Sequence, residues 1–467
     1  MFAIGGLIPL VILAGIVYLI VRAVQGRERR EASPESTGRA VRRLFHYALL
    51  FASLLIAAFG IIGLFAAILE SDETIAGDAS DLAVPLALTI VGVPLFAGLA
   101  LWSRRCLVAD PDEQRSIAWV LYLSGSLLVS LVGSIIMLSE ALSWAFGSET
   151  TGGASSLAAA CVWLAIWAAH WWVGARYEPL DELRTQRLAG SAIALWVGAG
   201  FLIATASAAL SWVYDELFRT TIGSTIGDDL RNMAPPAVIG AVAWWWYWLH
   251  HAVRDRRTGL WNGYTLLVGV LPGLMVMLVG AAIGLFTTLD WAFGSPDEGA
   301  ADQFAVMPVA LSLMVVGAGV LFYHRGLAWR RHTEARAEID RVYDYVVTAV
   351  GLVATGIALV TLIVAGIQAI APAPVAEGGD SDIQPLLLAI TLFVIGGPLW
   401  WYFWSRVQRY AVADPVEARS PSRRLYLFLS FGVGGVAAVI SLIVALATVL
   451  RDLLDGVPAE RHVHGWQ

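Results

Sequence analysis

The chain has 467 residues, 58% of them hydrophobic and only 14% charged, with a formal net charge of −7. A soluble domain carries about 25% charged residues, so a water-soluble core is excluded as the destination of this much apolar sequence, and lipid is the expected solvent for most of it. The net charge says little about partners, because the charges are sorted by loop: all 30 basic residues are arginine, and no nucleic-acid partner is expected. The two cysteines, Cys106 and Cys161, show neither a disulfide framework nor a metal spacing.

A hydrocarbon core of about 30 Å needs about 20 apolar residues to cross it as a helix. In chain order such runs cover residues 2–25, 44–69, 83–102, 117–146, 156–175, 189–217, 236–253, 263–292, 304–323, 342–370, 385–405 and 425–450. The expected fold is therefore all-α, an integral membrane bundle of about twelve transmembrane helices. The longer runs imply tilt or extension beyond the lipid. The first run has no basic leader or small-residue cleavage site and is followed by RERR, so it reads as an uncleaved anchor.

Loop charge sets the expected orientation. GRERR, WSRRCLVADPDEQR, ARYEPLDELRTQR, RDRR, HRGLAWRRHTEARAEIDR and SRVQRYAVADPVEARSPSRR alternate with SDETIAGDASD, SETTGGASS, SPDEGAAD and APAPVAEGGDSD. All but four of the arginines (Arg219, Arg231, Arg451 and Arg461) lie in or beside the first set. The positive-inside rule places that set in the cytoplasm, with both termini outside and the protein in the inner membrane.

The sequence also repeats. VADPDEQR at 108–115 returns as VADPVEAR at 412–419, and Pro94, Arg105 and Tyr122 return at the same offset as Pro398, Arg409 and Tyr426. RLFHY (43–47), RVYDY (341–345) and RLYLF (424–428) open helices, and WAFG closes two of them at 144–147 and 291–294. About five same-orientation two-helix repeats follow, each an outward helix, an acidic turn, an inward helix and an arginine-rich loop. We expect an anchor over 1–30 and repeats over 40–106, 115–177, 187–254, 260–326 and 341–409. A terminal half repeat over 423–451 and a polar tail over 452–467 complete the chain. RLFHY, RVYDY, GVPLF, GGPLW and WAAHW give the chain a resemblance to a bacterial polytopic membrane family known only as a domain of unknown function. That family pairs an R-x-L-Y-x-Y-type helix start with a G-x-P-L-W-x-x-H-W-type helix end. The resemblance implies the fold and brings no activity with it.

Aligned inward helices place Phe96, Trp167, Trp244, Leu321 and Trp400 in one slot. Leu99, His170, Tyr247, His324 and Phe403 share a second, and Ala100, Trp171, Trp248, Arg325 and Trp404 a third. The slots are spaced i, i+3, i+4, one helical face. Trp248 lies six residues before Arg254, about 9 Å along a helix, and Trp244 ten residues, about 15 Å. The third slot is thus expected to be an interfacial aromatic belt. The first is too deep for one and suits either packing between helices or the wall of a cavity open to the inner leaflet. The candidate ligand-binding residues are Trp167, His170, Trp171, Trp244, Tyr247, Trp248, His324, Trp400 and Trp404, and the expected function is to bind or move an amphipathic ligand, a lipid or quinone. Membrane lipid is the expected partner, with other membrane subunits or a second copy of the chain as further candidates.

Two alternatives accompany that reading: a structural or accessory scaffold, and, more remotely, a protein binding haem through His170 and His324. Against the haem, both histidines are also expected as interfacial side chains with their polar tips in water. Glu140, Asp215, Glu216 and Asp290 lie near outer helix ends, where water can solvate them. The chain has no P-loop, dinucleotide fingerprint, H-E-x-x-H, C-x-x-C or nucleophile-elbow motif, and its loops are too short for a catalytic domain. No enzyme activity and no cofactor are expected. In VADPxExR, Asp110 and Asp414 are expected to cap the following helices, with Glu113 and Glu417 completing capping boxes. Gly280 with Gly284, and Gly432, Gly434 and Gly435, permit close helix contact.

Overall fold

The computed structural model describes residues 37–69, 79–147, 152–177, 180–219, 226–255, 258–294, 299–329, 338–370 and 383–454. The anchor expected over 2–25 lies outside the described residues, as does the tail beyond Leu454. Every regular element described is helical. The other eleven expected spans are carried by α1 (Thr37–Leu69), α2 (Ala79–Ala109), α3 (Ile117–Ala145), α4 (Gly153–Tyr177), α5 (Leu180–Phe218), α6 (Ile226–Trp244), α7 (Leu271–Phe293), α8 (Met307–Trp329), α9 (Glu338–Ile370), α10 (Gln384–Ala413) and α11 (Pro421–Leu454). Helices are what a lipid solvent demands, because each satisfies its backbone polar groups internally. Among the described residues ten segments are long and apolar enough to cross a membrane. The remaining one, α6, is continued by a π-helix (Trp245–His251) and a 3-10 turn (Ala252–Arg254). A second π-helix, Tyr264–Val270, leads into α7.

The described residues form two compact units. One takes its residues from 1–212 and 222–261, the other from 213–221 and 262–467. In the first, α1–α2 and α3–α4 are packed helix pairs, α1 also meets α3 and α4, and α3 meets α6. The result is that α3 is enclosed: 78% of its most apolar 18-residue stretch is buried. Its buried face carries several serines, and three of them bond to the helix itself. Ser130 Oγ donates to the Ser126 carbonyl and Ser134 Oγ to the Ser130 carbonyl, both at 2.7 Å, and Ser139 Oγ donates to Ile135 in the same way. Tyr47 and Leu50 of α1 and Trp119, Leu123 and Leu127 of α3 form the core at one end.

In the second unit α7–α8 and α9–α10 are the packed pairs, α7 meets α10, and α11 meets α9. Close approach of α7 and α8 depends on Gly280, where a Cβ would lie 2.5 Å from the Ala310 carbonyl oxygen. The first turns of α11 bury Tyr426, but the most apolar stretch of the helix has no buried residue. Polar contacts tie the ends remote from the arginine-rich loops. In the second unit Arg219 pairs with Asp302 at 2.8 Å and Asp215 at 3.2 Å, and Gln303 Nε2 donates to Asp290 at 2.8 Å. The hydrogen bond to Asp302, more than the one to Asp215, raises the pKa of Arg219. In the first unit Ser156 Oγ donates to Glu140 at 3.1 Å. Three carboxylates that sequence singles out near helix ends thus have partners that join neighbouring segments.

Candidate functional site

The helix-opening motifs RLFHY and RVYDY and the VADPxExR loops resolve into the parts of a joint between helix starts. Arg43, in the second turn of α1, donates through Nε to Glu113, and through Nη2 to Asp110 at 2.9 Å. Both Arg43 and Glu113 are buried. Three residues on, Ser116 accepts from the Trp119 N–H at 3.3 Å and so caps α3. The joint recurs in the second unit, where Arg341 Nε donates to Glu417 at 2.9 Å and Ser420 accepts from the Arg423 N–H at 3.3 Å. Above it Tyr47 meets Tyr122 with ring centroids 5.9 Å apart, and Tyr345 meets Tyr426 at 5.3 Å. A third, looser version joins Arg187 to Asp255 at 3.4 Å, with Thr258 accepting from the Trp261 N–H at 3.3 Å.

This arrangement corrects one expectation. Asp110 and Asp414 do cap, accepting from the N–H of Asp112 and of Val416, but they cap the four-residue turns Pro111–Gln114 and Pro415–Ala418 and not the long helices. Glu113 and Glu417 complete no capping box. An arginine from the helix two places earlier takes them instead, buried Arg43 in the first unit and half-buried Arg341 in the second. Because Arg43 near the start of α1 touches the loop that starts α3, those two helices begin at the same end, and α9 and α11 do so by the same contact.

The aromatic slots of the first unit form a stack at this end. Trp167 Nε1 donates to the Tyr247 hydroxyl at 2.7 Å. Trp171 stands edge-on to Tyr247 at 5.4 Å and lies 5.2 Å from His251, while Trp246 stacks on His250 at 5.3 Å. Arg187 lies over the Trp171 ring at 5.9 Å, within cation–π range. Here the predicted face of Trp244, Tyr247 and Trp248 needs correction. A π-helix adds a residue per turn, so from Trp245 onward the i, i+3, i+4 register slips and Trp246 enters the stack beside Tyr247. Trp244 is half-buried. Trp248 is no belt residue: it is fully buried and stacks on Trp261 at 5.7 Å, whose own indole N–H donates to the Ala252 carbonyl at 3.0 Å. Beside the slot positions, Trp172, Trp245 and Trp401 are turned outward.

His170 and His324 are likewise buried and have no tip in water. In the first unit the Ile166 carbonyl lies 2.8 Å from His170 Nδ1. A carbonyl can only accept, so Nδ1 carries the proton and Nε2 accepts from the Tyr122 hydroxyl, also at 2.8 Å. Both nitrogens are engaged, which leaves neither for an iron. In the second unit His324 Nδ1 donates to the Val320 carbonyl at 2.9 Å, and its ring meets Tyr264 at 5.9 Å. Of the remaining slot residues, Trp404 packs on Tyr426 at 5.8 Å and Trp400 lies against Gly351 of α9. The candidate residues are thus divided between two separate units. Among the described residues no group of three or more His, Cys, Asp or Glu side chains could hold a metal ion.

Apolar helices of spanning length, buried rings and arginine-clasped helix starts define a multi-pass, all-α membrane protein with an internal repeat. The sequence profile of the family Domain of unknown function (DUF5671) matches residues 43–154 and again 341–464, and the chain belongs to that family. The two matched segments open on Arg43 and Arg341, the arginines of the two tighter joints. No curated protein and no solved structure matches the chain.

Proposed function

We propose that this is a non-enzymatic protein of the inner membrane that holds an amphipathic ligand, a lipid or a quinone, against the ring stack of its first unit, with the arginine-rich ends in the cytoplasm. The observation that carries this reading is the π-helix Trp245–His251. Such wide turns are rare and recur at functional sites. This one seals Tyr247 and Trp248 inside while leaving Trp245 half-exposed and His250 exposed. One edge of the stack therefore meets the surrounding lipid. Arg187 above Trp171 and Arg254 one turn beyond offer guanidinium donors to a polar head group. The second reading, a scaffold, is favoured by the filled interior of the stack: Trp167 and Tyr247 bond to each other, and Gly190 abuts the Tyr247 ring.

Native mass spectrometry of the protein released from bacterial membranes separates the two. The ligand reading expects a retained lipid or quinone that falls at least about tenfold in occupancy in Trp246→Leu, the loss of about 1.4 kcal/mol of binding. Equal retention in Trp246→Leu, or none in either protein, leaves the scaffold reading.

A further inference from the structure

The two tight joints are copies, yet their charges have diverged. The first, Arg43 with residues 110–120, contains two arginines against three carboxylates: Arg43 and Arg115, with Asp110, Asp112 and Glu113. The second, Arg341 with residues 414–424, contains four arginines against two: Arg341, Arg419, Arg423 and Arg424, with Asp414 and Glu417. Three aligned positions make the difference. Asp112 has become Val416, Trp119 has become Arg423, and Val120 has become Arg424. The first copy puts a buried Trp119 where the second puts a cation.

The second joint also has a concavity. A cleft of about 320 Å³ is lined by Arg341, Pro415, Val416, Arg419, Ser420 and Pro421. Glu417 is committed to Arg341. Arg419 is exposed and makes no ion pair among the described residues, and Arg423 has one side-chain bond, to Gln408 at 3.3 Å. The cleft wall thus presents a guanidinium without a carboxylate to neutralise it, and two more arginines follow in the first turn of α11. Val416 and the two prolines add apolar wall without any acceptor side chain.

We propose that this cleft binds a phosphate group, gripped by Arg419 with Arg341 behind it, and that the equivalent place in the first joint does not. Planar guanidinium donors match phosphate oxygens in pairs. The same chemistry serves a phosphorylated lipid head group at the membrane surface or a free phosphate in solution. The proposal is independent of the ring stack, which belongs to the other unit.

The test uses the full chain in nanodiscs of phosphatidylcholine alone and with phosphatidic acid, and the detergent-solubilised chain titrated with inorganic phosphate. Arg419→Gln is exposed and leaves Arg341–Glu417 in place. It is expected to lower phosphatidic acid occupancy by about tenfold, while Arg115→Gln, its counterpart in the first joint, leaves occupancy unchanged. Inorganic phosphate binding that Arg419→Gln weakens identifies a site open to soluble phosphate, and lipid binding alone identifies a head-group site. Absence of both, or an equal loss in Arg115→Gln and Arg419→Gln, overturns the proposal.

Discussion

Replacing Glu113 with Gln tests whether the joint positions the helix starts. The Arg43 and Glu113 side chains retain 5% and 7% of their accessible surface, while Asp110, the second partner of Arg43, keeps 43%. Removing one partner of a buried ion pair costs about 3–5 kcal/mol because the other charge stays behind. Asp110 remains within 2.9 Å of Arg43, so the loss belongs at the lower end, about 3 kcal/mol. For a folding unit of roughly 200 residues each kcal/mol lowers the midpoint by about 2–4 °C, which gives a fall of about 6–12 °C for Glu113→Gln. Asp110→Asn removes a half-exposed charge worth at most about 1 kcal/mol and lowers the midpoint by less than about 4 °C. Thermal unfolding of the purified protein, followed by intrinsic fluorescence in one detergent, reads both. A double-mutant cycle of Arg43→Gln and Glu113→Gln isolates the pair. Should Glu113→Gln cost no more than Asp110→Asn, the buried pair is not what holds the loop, and the account of the joint fails.

Other consequences are open to similar measurement. Gly190→Ala would bring a Cβ to 2.3 Å from Tyr247 Cε1. The expected overpacking cost is about 1–3 kcal/mol, seen as a lower unfolding midpoint, and an unchanged midpoint would mean the stack yields freely. Tyr122→Phe leaves the buried His170 Nε2 without its donor and should cost about 1–3 kcal/mol; a loss below about 0.5 kcal/mol would show that the bond contributes little. The orientation is testable with Asp112→Cys in a chain whose Cys106 and Cys161 are replaced by alanine. An impermeant maleimide should label it in intact cells only after permeabilisation, and labelling before that reverses the topology.

Most of the architecture was legible because lipid imposes one secondary structure and its thickness sets one length. The apolar runs over 44–69 and 117–146 need no tertiary knowledge to read as helices, and their described ends at Leu69 and Ala145 follow closely. The two halves of the joint were both visible, RLFHY and VADPDEQR, each with its copy, but not the bond between them. Arg43 and Glu113 lie 70 residues apart, and no periodicity connects the start of one helix with the loop before another. What could have linked them is that the arginine and the glutamate both recur in both copies. The ring stack was half legible. Trp167, Trp171 and Tyr247 do meet, but a face drawn at 3.6 residues per turn fails wherever the turn widens, and Trp246 enters for that reason. Depth counting failed for Trp248, because distance from Arg254 measures height along the helix and says nothing of whether lipid or Trp261 lies alongside.

The self-bonded serines of α3 bear on how the molecule is assembled. Ser130, Ser134 and Ser139 each spend their hydroxyl proton on a carbonyl one turn back, so their demand for a partner is met within a single segment. Such a segment can leave the translocon and rest among acyl chains before α4 or α6 has been synthesised. When those neighbours arrive, acyl chains are exchanged for side chains and these hydroxyl bonds need not be remade. The most enclosed helix of its unit is thereby able to enter the bilayer early.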